Sequence, residues 1–145
     1  MFLVDSNCWM QLVRSREFAP GVRSFLAEVP ARLLFVTDFS VNSIALNMER
    51  RKQLNELPGF LSLSTIGADI AIVRLDVDGI RRVVETGVLH GLDYDDAYQY
   101  TAAELYGLKL VSFDADFDRT PLGRLTPSAA LQQFREEQRQ TKQQT

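Results

Sequence analysis

Three short apolar runs in this chain stop at an aspartate. Phe2–Val4 ends at Asp5, Leu33–Thr37 (LLFVT) at Asp38, and Leu108–Phe113 (LKLVSF) at Asp114. Near-continuous apolar runs of this length suit strands buried on both faces, as in a parallel sheet covered by helices. Ala71–Leu75 (AIVRL) reads as a further strand. In such sheets ligands bind outside the carboxyl ends of the strands, so acids at strand ends are candidates for a site.

The segments between the runs have helical character. Ser6 or Asn7 can cap a helix with Trp9, Leu12 and Val13 on one face. A second helix is expected over Pro20–Glu28, with Pro20 in its first turn. Asp38 or Ser40 opens a third, carrying Val41, Ile44, Ala45 and Met48, and Pro58-Gly59 marks a break. Val77–Val88 repeats Ile80, Val83, Val84 and Val88 at helical spacing, and Gly91 breaks the chain. Asp93 caps the helix DYDDAYQYTAAELYG, which stops at Gly107. A last helix is expected over Ala129–Gln138. Strand–helix alternation of this kind predicts a three-layer α/β/α sandwich around a mostly parallel central sheet. There is no internal repeat and no Gly/Ser linker, so a single domain is expected over residues 1–135. Residues 136–145, almost wholly polar, are expected to form a C-terminal tail or frayed helix end.

The topology turns scattered acids into a group. A helix running antiparallel to the next strand starts at the end of the sheet where that strand finishes. Asp93, Asp95 and Asp96 therefore belong with Asp5, Asp38, Asp114 and Asp116 at one edge. Gathered carboxylates raise one another's pKa and oppose folding unless a cation compensates. One cysteine (Cys8) and one histidine (His90) provide no Cys/His zinc set, so a metal here is held by oxygen, which favours Mg²⁺ or Mn²⁺. Such an ion suits phosphodiester hydrolysis. The bland readings are helix capping for Asp38 and Asp93, and a solvated acidic loop for Asp114, Asp116 and Asp118.

A lone cysteine excludes an internal disulfide framework and fits a reducing cytoplasm. No signal peptide and no membrane span is expected. The net charge of −3 is the wrong sign for holding nucleic acid by bulk electrostatics, so phosphate contacts must be local. Arg14/Arg16, Arg50/Arg51/Lys52, Arg81/Arg82 and Arg119 are the candidates, each with a solvated surface as the plain alternative. Cys8, Trp9 and His90 read as structural, and Tyr94 and Tyr98 share a helical face at the rim of the acid group.

The segments FLVDSN (Phe2–Asn7), FVTDFSVNSIAL (Phe35–Leu46) and DDAYQYTAAELYGLKLVSFDADF (Asp95–Phe117) together resemble the PIN domain, and within it the VapC-type toxins of bacterial toxin–antitoxin pairs. Asp5-Ser6-Asn7, Asp96-Ala97, and Ser112 followed by Asp114 and Asp116-Phe117 carry the likeness. The resemblance implies a metal-dependent ribonuclease, usually a homodimer, held inactive by a cognate antitoxin. It implies Asp5, Asp96 and Asp116 as catalytic metal-binding acids, with Asp114 beside them and Ser6 as a hydrogen-bonding support. One departure stands out. The family's Glu on the helix after the second strand falls on Ser43, which brings no charge, and Asp38 is the candidate to replace it.

Two other acid-bearing patterns fit poorly. Asp116–Thr120 (DFDRT) resembles the phosphatase nucleophile motif of the haloacid dehalogenase-like enzymes but lies too near the C-terminus. A receiver domain needs an acidic pair after its first strand, where Asp5 is followed by Ser6 and Asn7. The remaining alternative is a weak or inactive PIN-like module that binds RNA or a partner protein without cutting.

Overall fold

A computed structural model of the chain describes residues 1–143. Four strands, β1 (Phe2–Val4), β2 (Leu34–Thr37), β3 (Ala71–Val73) and β4 (Lys109–Val111), form one sheet in the order β3-β2-β1-β4. Every named pair is parallel, with Leu3 opposite Phe35 and Leu110, and Val36 opposite Ile72.

Alternation along the strands builds two cores. Phe2 and Val4 of β1, Leu34 and Val36 of β2, and Val111 of β4 join one cluster. Leu3, Phe35 and Leu110 point to the other face. The first face is covered by α1 (Ser6–Val13), α2 (Ala19–Glu28), α3 (Asp38–Arg50) and α7 (Pro127–Gln143), whose Trp9, Phe25, Ile44 and Phe134 fill that core. The second is covered by α5 (Val77–His90) and α6 (Tyr94–Tyr106), through Val83, Ala97, Ala102 and Ala103. The expected three-layer α/β/α sandwich is therefore present. Small residues on α6 let it lie close to the sheet, so its polar members Asp96, Gln99 and Thr101 are also buried.

Several boundaries differ from the expectation. Pro58-Gly59 does not break the chain but sits in the first turn of α4 (Leu57–Ser64). Proline there forfeits only an amide that has no helical partner. The strand at Ala71–Leu75 stops at Val73, and as an edge strand it leaves Ile72 exposed. The last strand is trimmed to Lys109–Val111. On α5, Val83 faces the core while Val84 and Val88 face outward. The final helix is longer than expected and runs through residues 136–143 of the polar segment. Glu137 bonds Lys109 there, and Arg135 holds Glu28 through two bonds of 2.7 Å. Gln144 and Thr145, the end of the expected tail, lie outside the described residues. Among the described residues no helix is long and apolar enough to cross a membrane.

Candidate metal centre

The carboxyl ends of β1 and β4 lie side by side, because the Asp5 amide donates to the Val111 carbonyl at 2.9 Å. This bond places Asp5 at the mouth of the sheet with only 4% of its surface exposed. Asp5 is the residue before α1, yet its carboxylate caps no helix amide. It faces side chains instead. Ser6 Oγ donates to Oδ1 at 3.2 Å, and Asn7 Nδ2 and Ser112 Oγ donate to Oδ2 at 3.1 and 2.8 Å. Asn7 Nδ2 also reaches Ser112 Oγ at 2.8 Å, and its Oδ1 accepts from the Phe113 amide at 3.2 Å. Asn7 thus ties the start of α1 to the end of β4.

The helix start of α6 brings Asp96 to the same edge. Asp93 caps α6 by accepting from the Asp96 amide at 3.0 Å, so the bland reading of Asp93 holds. Asp114 plays a similar part after β4. Its Oδ1 accepts from the Asp116 amide at 2.9 Å, and its own amide donates to Ser112 Oγ at 3.0 Å. One carboxylate oxygen from each of Asp96, Asp114 and Asp116 lies within 4.8 Å of the other two.

The electrostatics follow from that crowding. Burial first, then the charges of Asp114, Asp93, Asp5 and Asp116, push Asp96 up to about 7. Burial also raises Asp5, with Asp114 adding to the shift and the Ser112 and Ser6 hydrogen bonds opposing it. The Cys8 thiol, buried beneath the site, is raised well above its ordinary value by burial and by Asp5. The donor set therefore fits a divalent cation in two respects. It is all oxygen, and burial together with the neighbouring carboxylates lets Asp96 hold a proton near neutrality, a penalty a cation would relieve.

Other expected site residues take different places. Asp38 is not in the three-carboxylate group. Its Oδ1 accepts from the Tyr98 hydroxyl at 2.8 Å and from the Phe39 amide at 2.9 Å. Thr37, not Asp38, caps α3. Burial and the bond to Asp38 push Tyr98 up to about 12, and its ring stacks on Phe39 beside the half-exposed Tyr94. Ser43 is half-buried on α3. Arg119, expected to meet phosphate, is engaged by the protein. Nη1 donates to Asp116 Oδ1 at 3.0 Å, Nε to the His90 carbonyl at 3.1 Å, and Nη2 to the Gly91 carbonyl. Cys8 and Trp9 are core residues, and His90 closes α5 with its ring tilted against Tyr100.

Three supports were not singled out from the sequence. Asn7 was expected at most to cap the first helix, and Ser112 stood inside a motif without a role. Gln99 is 2% exposed, and its Nε2 donates to Ser40 Oγ at 2.7 Å and Thr37 Oγ1 at 3.1 Å, which fastens α6 to the end of β2. The available signal was a lone amide on an otherwise small-residue helix face.

Acids from separate segments, gathered at the carboxyl end of an all-parallel sheet, define a class of α/β domains with a carboxylate cluster that could hold a cation. Within that class the chain belongs to the PIN domain family, whose model matches residues 2–122. Solved structures agree in fold. A toxin–antitoxin complex from Klebsiella pneumoniae superposes with a TM-score of 0.69 at 22% identity, over 88% of this chain and 98% of that one. VapC20 of Mycobacterium tuberculosis, a sarcin–ricin loop-cleaving toxin, gives 0.69 at 13% identity, over 86% and 97%. FitAcB from Neisseria gonorrhoeae gives 0.68 at 19% identity, over 88% and 98%. No curated protein matches the sequence.

Proposed function

We propose that this chain is a metal-dependent endoribonuclease that hydrolyses RNA phosphodiester bonds as the toxin of a cytoplasmic toxin–antitoxin pair. The observation that carries the reading is the convergence of Asp96, Asp114 and Asp116 within 4.8 Å, beside a buried Asp5, in a PIN domain. Asp5, Asp96 and Asp116 act as the catalytic acids. With Asp114 they would hold Mg²⁺ or Mn²⁺, which would supply Lewis-acid charge for phosphodiester hydrolysis. Asp5 is oriented by Ser6, Asn7 and Ser112, so its carboxylate is fixed before any ligand arrives. A bound cation would favour the ionised form of Asp96, whose pKa burial and the neighbouring acids raise to about 7. The acids exclude a bare phosphate from the edge of the sheet, so substrate binding depends on the cation as well. An antitoxin protein is the expected partner, by likeness to the toxin–antitoxin complex among the structural neighbours, and a second copy of the chain is expected from the family resemblance alone.

A second reading is favoured by Ser43, which stands where the family carries a Glu, and by Asp38, which is committed to Tyr98. With neither carboxylate in the group, the domain binds RNA or a partner and cuts weakly or not at all. Cleavage of labelled RNA by antitoxin-free protein, with Mg²⁺, Mn²⁺ or EDTA and beside Asp96→Asn, separates the two. Metal-dependent cutting lost in the variant supports the nuclease. Intact RNA from folded protein in every lane, across several RNAs, supports the binding module.

A further inference from the structure

We propose that Arg14 and Arg16, at the outer end of α1, form a phosphate-binding track that holds the RNA strand flanking the scissile bond, an inference that rests on the nuclease reading above. The track adjoins the acids. A cleft of about 250 Å³ is lined by Ser6, Asn7, Met10, Gln11, Arg14 and Arg16. Its inner end consists of two side chains that donate to Asp5. At about 1.5 Å per residue, α1 carries the cleft some 12 Å from Ser6 to Arg14.

The arginines at its outer end lack counter-charges. Neither Arg14 nor Arg16 has an ion pair among the described residues, and neither does Arg51 beside them. Arg14 Nε is buried without a hydrogen-bond partner, as is the Gln11 Oε1 acceptor in the same cleft. Burial lowers the Arg14 pKa, and the charges of Arg16 and Arg51 lower it further, so three guanidinium groups share one neighbourhood. The backbone holds the pair together. Ser15 adopts a left-handed φ of 47°, which lets the Arg16 amide turn back to the Gln11 carbonyl at 3.0 Å. In a chain of net charge −3, an unneutralised group of arginines is not a by-product of a basic composition. The planar, multi-donor guanidinium matches phosphate oxygens better than any other side chain does. An acidic segment of a protein partner would meet the same charges, but the inner end of the cleft is lined by Ser6 and Asn7, which bind Asp5, and that adjacency favours the strand being cut.

The test uses the full-length wild-type protein with Ca²⁺ in place of Mg²⁺, an oxygen-ligand cation of the same charge chosen to slow cleavage, a fluorescein-labelled single-stranded RNA oligonucleotide checked to be intact, and a salt titration read by anisotropy. Adding Arg14→Gln and Arg16→Gln together is expected to weaken Kd about tenfold or more at low salt and to reduce the salt slope by about 1.4, roughly 0.7 for each lost phosphate contact. Arg14→Lys with Arg16→Lys is expected to keep the slope. Melting temperatures exclude misfolding as the cause. If the parent binds RNA and the glutamine variant matches it in Kd and slope, the track is refuted while the nuclease reading stands, and an acidic peptide becomes the better occupant. If the parent does not bind RNA and does not cut it with Mg²⁺, both readings fall together.

Discussion

Asp5 is 4% exposed and both of its carboxylate oxygens accept hydrogen bonds from side chains, whereas the side chain of Asp116 is 54% exposed and leans on Arg119. The two bring the same functional group to the same edge from different surroundings. The inner wall, Asp5 and Asp96, is set by β1 and α6 and carries the electrostatic strain: both carboxyls are pushed above their ordinary values. The outer wall, Asp114 to Arg119, is a short 3-10 turn after β4, with Asp118 tied to Arg124 through bonds of 2.9 and 3.1 Å. A buried acid is precise but opposes folding when charged, and an exposed acid is loosely held. A cation bound between them would draw its geometry from the first, while the second adjusts to it.

The largest effect is therefore expected at Asp96. Asp96→Asn should cut the cleavage rate by about a thousandfold, because the charge a metal supplies is worth several kcal/mol and each 1.36 kcal/mol is about tenfold. The same change should raise the melting temperature of the protein in EDTA at pH 8, because it removes a strained charge. Activity lost together with stability would mean that Asp96 is structural and that the inner wall has been misread. Asn7→Ala and Ser112→Ala come next. Each loosens Asp5 without touching its charge, and should lower metal affinity or activity by about 10–100-fold. Metal titration by calorimetry measures this directly, and unchanged affinity in both variants would show that Asp5 needs no such support.

Legibility in the sequence followed the same division. β1, β2 and β4 were readable because a short apolar run ending in an acid is a local signal, and α6 was readable from Asp93 at one end and Gly107 at the other. The inner wall could be anticipated once those elements were placed. The Asn7–Ser112 bond could not, since it joins residues 105 apart in the chain. The role of Arg119 was hidden for another reason: its partners at His90 and Gly91 are backbone carbonyls, which every residue has. Which of the adjacent valines on α5 faces inward depends on how that helix packs on α6, and periodicity admitted Val83, Val84 and Val88 alike. Pro58-Gly59 shows the ambiguity of turn residues, because proline marks a helix start as readily as a chain break.

The comparison can be sharpened by pH. Asp96 has a folded-state pKa of about 7, raised from an ordinary value of 3.8. Below the lower value it is protonated whether folded or unfolded, and imposes no penalty. Between about 4 and about 7 the unfolded chain ionises it and the folded chain resists, so its contribution to stability is lost as pH rises and is fully lost above the upper value. Denaturant melts in EDTA should thus show wild-type protein falling behind Asp96→Asn across that window, with a constant gap above it. Mg²⁺ should close more of the gap at pH 8 than at pH 5, where protons compete for the same oxygens. A gap independent of pH would remove the charge argument for the inner wall.

Arg119 offers the smallest and most discriminating change. Arg119→Gln removes an exposed ion pair to Asp116, worth under about 1 kcal/mol in folding. Its effect on the site has two possible signs. If Arg119 competes with the cation for Asp116, freeing that carboxylate strengthens metal binding. If it positions Asp116 by anchoring the turn to the carbonyls of His90 and Gly91, losing it weakens binding. The geometry favours positioning, since one guanidinium spans both carbonyls and Asp116 Oδ1 at once. A several-fold loss of metal affinity with stability nearly unchanged is expected, read by calorimetry beside Asn7→Ala. A gain would make Arg119 a competitor for Asp116, and the outer wall would then depend on the cation displacing it.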